Sequence, residues 1–139
     1  MSDNKDIFFR YAVFCKPDKM CTVHDASCSL TELASVTVAV HVREHAVYDV
    51  ALSVCTDDHF EKSRGRELAL TRLNEGIKII SLCQSDIDAC SGIINVILMR
   101  LKGLEQRPDW LPMKIWRQIS DVKLMQRQQY FRKFHYVSL

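Results

Sequence analysis

The chain has 139 residues, 47% of them hydrophobic, which is enough for one domain to bury a core and excludes a tail, a linker or a fibrous segment. It carries 19 lysines and arginines against 17 aspartates and glutamates, a net charge of +2. That is too mild for a protein that coats nucleic acid over a broad face, so nucleic acid is not an expected partner and any basic site is local. No apolar run approaches the ~18 residues of a membrane-spanning helix. The start, "MSDNKDIFFRYAVFC", lacks a basic segment leading into an apolar one, so no secretory leader is expected either. The expectation is a cytoplasmic protein whose six cysteines are packed thiols rather than a disulfide framework.

Residues 7–15, "IFFRYAVFC", are β-branched and aromatic, and "KPDK" then supplies turn chemistry. Residues 19–24 are read as a short returning strand, with "HDASCSLTE" a loop or a single helical turn. Within this stretch Cys15, Cys21, His24 and Cys28 are the right residue types for zinc. Their C-x5-C-x2-H-x3-C spacing lacks the close pairs that let one turn present two ligands, so no metal and no cofactor is expected. In "SVTVAVHVR", Val36, Val38, Val40 and Val42 alternate with Thr37, Ala39 and His41, the period of a half-buried strand. "REHA" fits a hairpin turn, and "VYDVALSVC" alternates again.

The period changes in the second half. Asp58 and Glu61 form a capping-box pattern that opens a helix running to about Asn74, with Gly76 placed to close it. "IKIISLC", residues 77–83, reads equally as a strand or a packed connector. Ser85 or Asp86 can cap a second helix, in which Ile87, Cys90, Ile94, Ile97, Leu101 and Leu104 recur every three or four residues. Pro108 and Pro112 bracket a turn around Trp110. A third helix is expected from about Met113 to Phe134, with Ile115, Ile119, Val122 and Met125 on one stripe. Trp116, Leu124, Tyr130, Phe131, Phe134 and Tyr136 add apolar surface off that stripe, more than one sheet face covers, so pairing with a second copy is expected.

An enzyme would need chemistry that the chain does not spell out. There is no phosphate-cradling G-x-x-x-x-G-K loop, no G-x-G-x-x-G among the four glycines, no H-E-x-x-H and no serine in a nucleophile elbow. His41 and His45 flank a hairpin rather than sharing a helix face. Asp57 and Asp58 suit the N–H-rich start of a helix as well as they suit acid–base work. No catalytic residue is therefore assigned.

The segment that asks for a function is "SVCTDDHFEKSRGRELALTRLNEG", residues 53–76. It sets Phe60, Lys62, Arg64, Gly65 and Arg66 in the first turns of a helix, with Arg72 further along. A glycine inside a helix costs ~1 kcal/mol relative to alanine, so Gly65 implies close approach of a strand, a helix or a ligand. Helix N-termini attract anions, guanidinium forks grip phosphate, and an aromatic ring stacks on a base. The same residues also fit a solvated face with Glu61 and Glu67 as local partners and Phe60 stapled to the sheet.

Cys55, Asp58, Phe60, Lys62, Gly65, Arg66, Ala69, Arg72 and Leu73 match a pattern in small tailed-phage proteins. In it a strand ends in cysteine, followed by Asp-x-Phe, a cation, Gly-Arg, alanine and Arg-Leu. The segment resembles the anti-defence "sponge" proteins of the Thoeris anti-defence type. That resemblance implies an α+β fold with an N-terminal antiparallel sheet and C-terminal helices that pair protomers. It also implies non-catalytic sequestration of a cyclic nucleotide or a cyclic ADP-ribose-type immune signal. Arg100 and Arg107 are further candidates by charge alone. The expected architecture is one domain, sheet in residues 1–56 and helices in 57–139. The expected ligand-binding residues are Phe60, Lys62, Arg64, Gly65, Arg66 and Arg72. The alternative is a protein–protein inhibitor of a host defence enzyme that uses the same helix face.

Overall fold

A computed structural model of the chain describes residues 6–17, 30–43, 46–56, 61–76, 79–127 and 136–137. The alternating segments form strands β1 (Ile7–Pro17), β2 (Leu30–Arg43) and β3 (Val47–Cys55). They pair antiparallel, with Phe8 opposite Val40, Tyr11 opposite Thr37 and Val38 opposite Leu52. Leu30, Thr31 and Glu32, expected in a loop, already belong to β2. The turn expected at "REHA" is closed by the Arg43–Val47 pair, and Ala46 adopts a left-handed φ of 58° there. The strand expected at 19–24, and Cys21, His24, Cys28 and His45, lie outside the described residues.

This register sorts the side chains. Phe8, Ala12, Phe14, Val36, Val38, Val40, Val50 and Leu52 collect on one face, while Tyr11, Thr37, Ser53, Ala39 and Ala51 lie on the other. A one-residue slip would exchange the two sets, so burial pins the register.

Helix α1 (Lys62–Glu75) follows β3, and the ambiguous stretch after it resolves as strand β4 (Ile79–Cys83), antiparallel to β3. The single long helix expected next is instead two helices, α2 (Gln84–Ala89) and α3 (Ile93–Lys102). Ser91 at φ 62° and Gly92 at φ 139° break the helical path between them, although the apolar spacing runs straight through. The cap of α2 is neither Ser85 nor Asp86 but Cys83, whose side chain and amide both bond with Asp86.

The expected helix from Met113 to Phe134 is not what the described residues form. Helix α4 is one turn, Met113–Trp116, opening at Pro112, and after a turn residues Lys123–Arg127 run as strand β5. The apolar stripe misled because Ile115, Ile119 and Val122 meet the core from a turn as well as they would from a helix. The local pattern at Val122, Lys123 and Leu124 is buried, exposed, buried, which is the period of a strand. Pairing with β1, Leu124 opposite Phe14, satisfies backbone groups that would otherwise lie on an open edge. The long helix on which protomer pairing was expected is thus absent among the described residues. Strand β6 (Tyr136–Val137) pairs with β5, and the sheet order is β4-β3-β2-β1-β5-β6.

Helix α3 and the segment around α4 cover the valine face. Ile94, Ile97, Leu101, Trp110, Leu111 and Ile115 close one continuous core with the strands. Trp110 is buried in the proline-bracketed turn, where the Leu111 amide donates to the Pro108 carbonyl at 3.0 Å. α1 lies on the opposite face, against β2 and β3, so the fold is α+β with a sheet sandwiched between unequal helical layers.

Candidate functional site at the start of the first helix

α1 closes at Gly76, whose left-handed φ of 69° returns its amide to the Leu73 carbonyl at 3.3 Å. Its N-cap is Glu61, in extended conformation, with no side-chain cap bond and no acidic residue in the first turn. The capping box expected of Asp58 and Glu61 is not the arrangement at this end, because Glu61 is itself the cap and Asp58 lies outside the described residues. The first amides of α1 are left without a side-chain partner from the cap, and the end that already favours anions carries Lys62, Arg64 and Arg66.

Two of those cations converge on one ring. Lys62 Nζ stands 4.8 Å from the centroid of the Tyr11 ring, and Arg66 Nη1 donates to the Tyr11 hydroxyl at 3.0 Å. Both cations are exposed and Tyr11 is half-buried. Tyr11 sits in the row Tyr11, Thr37, Ser53 across β1, β2 and β3, on the face that α1 covers. Thr37 and Ser53 are buried, and the Thr37 Oγ1 has no hydrogen-bond partner among the described residues. A buried hydroxyl in that state costs ~1–3 kcal/mol, so it stands out in the stretch from Val36 to Val40, otherwise valine and alanine.

Gly65 and Ala69, one turn apart, are the buried residues of α1. The sheet offers Ala39, Ala51, Thr37 and Ser53 in return, so small residues face small residues and helix and sheet approach closely. Gly65 therefore belongs to the helix–sheet contact. Arg72 is drawn to other work: its Nη1 donates to the Leu52 carbonyl of β3 at 2.7 Å. Burial pushes the Arg72 pKa down, with Glu75 opposing that shift. Arg66 and Arg72 are about 9 Å apart along the axis at ~1.5 Å per residue, so the structure does not bring Arg72 to the Tyr11 ring.

Of the residues expected from the sequence, Lys62 and Arg66 meet at one place, Arg64 is exposed two residues from each and off their shared face, and Phe60 lies outside the described residues. Arg100 pairs with Asp86 at 3.3 Å, and Arg107 donates to the Leu111 carbonyl at 2.9 Å, holding the tryptophan turn. Compared with protein families, curated proteins and solved structures, the chain matches none. Tyr11 and Thr37 were not among the expected site residues. Strand parity places them on the face opposite the valines, and only the register with β2 sets them side by side beneath α1.

The site can hold an anion against a ring. Cations at 3.0 and 4.8 Å from one tyrosine, at an uncapped helix start, offer phosphate both charge and directional donors. Among the described residues no group of three or more histidines, cysteines, aspartates or glutamates is arranged to hold a metal ion, and no helix is long and apolar enough to cross a membrane. Cys15, the one member of the early cysteine–histidine cluster that is described, is buried in β1, and burial pushes its thiol pKa up.

A second feature lies at the other edge of the sheet. Ile80, Ser81, Met99, Arg100, Gly103 and Leu104 line an open groove of about 430 Å³ beside β4, with Met99 63% exposed.

Proposed function

We propose that this chain binds a small phosphate-bearing, ring-containing signal of the cyclic nucleotide or cyclic ADP-ribose class and holds it without turnover. The observation that carries the reading is the Tyr11 ring gripped by Lys62 and Arg66 at the uncapped start of α1. Phosphate takes the two cations at the helix start, and the ring supplies a stacking surface for a purine. Such a protein acts by lowering the free concentration of its ligand, so it needs affinity and no catalytic group. That is the behaviour the resemblance to Thoeris anti-defence sponges implies.

The test is a thermal-shift and calorimetric panel of cyclic ADP-ribose isomers and cyclic di- and trinucleotides. A ligand at ~1,000 times its Kd adds about 4 kcal/mol of apparent stability. The double variant Lys62→Ala, Arg66→Ala should lose that shift while melting within a few degrees of wild type, since both side chains are exposed. A flat panel, or a double variant that binds as wild type does, overturns the reading.

One observation favours a second reading, inhibition of a host protein through a surface contact. Met99 and Leu104 present exposed apolar side chains beside the edge strand β4. In that case the panel stays flat, and Met99→Asp abolishes capture of one host protein.

A further inference from the structure

We infer that the binding site continues beneath α1, where the Thr37 hydroxyl hydrogen-bonds a polar group of the ligand whose phosphate Lys62 and Arg66 hold. The inference rests on the proposed function and names the part of that site which selects the ligand.

Two independent observations meet at this point. The first is the start of α1, a helix of 14 residues with no side-chain cap bond and cations in its opening turns. The second is Thr37, 0% exposed, whose Oγ1 has no partner among the described residues. Buried hydroxyls in folded proteins are nearly always bonded, and one that is not marks a place where something else bonds it. Val36, Val38 and Val40, on the opposite face of β2, show that the strand accepts β-branched side chains at full burial. Valine has the shape of threonine and leaves no orphan hydroxyl, so packing alone does not call for threonine at 37.

Register gives the direction. Thr37 lies directly between Tyr11 on β1 and Ser53 on β3, with all three on the α1 face. The Thr37 hydroxyl therefore opens into the layer between sheet and helix, next to the tyrosine that the two cations hold. A hydroxyl both donates and accepts, and with the Ser53 hydroxyl beside it the row suits a ribose or the polar edge of a base. The ligand class that fits is a nucleotide lying across the row, phosphate outward at the helix start and sugar or base inward at Thr37.

Entry requires α1 to move, and its attachments allow that. Its fully buried residues are the small Gly65 and Ala69, and its half-buried leucines, Leu70 and Leu73, lie in the later turns, so the first turns bury little apolar area. Its first turns are held by Lys62 and Arg66 on Tyr11, and its far end by Arg72 on the Leu52 carbonyl. A phosphate competes with Tyr11 for Lys62 and Arg66, so binding itself releases the first turns while the Arg72 end stays anchored.

The experiment is titration calorimetry of wild type, Thr37→Val, Thr37→Ser and Arg66→Gln with cyclic ADP-ribose and cyclic di-AMP, with a thermal melt of each protein. The expected result is that Thr37→Val binds about tenfold more weakly or worse, the loss of one buried hydrogen bond, while melting at or above wild type. Thr37→Ser, which keeps the hydroxyl, should bind as wild type does. If Thr37→Val does not fold, Thr37→Ala carries the same comparison. Equal affinity of Thr37→Val and wild type, with Arg66→Gln weakened, overturns this inference and leaves the anion site standing. No binding by wild type to either probe overturns the proposed function and this inference with it.

Discussion

Replacing Arg72 by methionine separates scaffold from site. The Arg72 guanidinium donates to the Leu52 carbonyl of β3 at 2.7 Å. Methionine keeps the apolar stem and removes the donor. A hydrogen bond from a charged group contributes about 1.5–3 kcal/mol, and relief of the buried charge returns part of it, so the net loss should be about 1–2 kcal/mol. For a domain of this size that lowers Tm by about 3–8 °C, read by calorimetry or by a urea midpoint shift at constant slope. Affinity for the cyclic nucleotide probes should stay near wild type, because Arg72 lies about 9 Å along the helix from Arg66. An Arg72→Met protein that melts like wild type but loses its ligand would refute the reasoning. It would place Arg72 in the site and make the carbonyl contact incidental.

Three further perturbations test the fold around the site. Leu101 is fully buried in the core beneath the valine face, and Leu101→Ala should cost about 2–5 kcal/mol by urea unfolding; a loss under 1 kcal/mol would mean that α3 is not packed as described. Gly92→Ala meets no neighbouring atom but must adopt φ 139°, so backbone strain alone should cost about 1–3 kcal/mol, and an unchanged Tm would show that the α2–α3 break is not fixed there. The bonds from the Cys83 thiol and amide, then the charge of Arg100, hold the Asp86 carboxyl below its ordinary value of 3.8. A depressed folded pKa contributes stability that is present above the unfolded value and lost as pH falls through the folded one. Asp86→Asn should therefore flatten the acid limb of a Tm-against-pH curve below about pH 4, whereas a limb identical to wild type would remove Asp86 from the account.

The candidate site was legible in half. Lys62, Arg64 and Arg66 stand out because a cation run at a helix start is a local pattern, and Gly65 announces close approach by its cost to the helix. Their aromatic partner was not legible, since Tyr11 lies 55 residues from Arg66 in the chain and only the strand register brings it under the helix. Arg72 looked equivalent to Arg66 in sequence. What distinguishes it is the Leu52 carbonyl of β3, which only the packing of α1 on the sheet brings within its reach.

By itself the sequence determined the first three strands, the alternation of β2 and β3 and the glycine that ends α1. Alternation and a positive φ are properties of a few consecutive residues, so they need no distant partner. Only the tertiary structure decided that Lys123–Arg127 is a strand, because the open edge of β1 offers backbone bonds that a helix stripe at Ile115, Ile119 and Val122 does not foretell. It also decided that one apolar periodicity splits into α2 and α3 at Gly92, and that the Thr37 hydroxyl lies beside Tyr11 rather than in water. In each case the deciding contact lies in space and not along the chain, and the free energy of burying it outweighs the local preference.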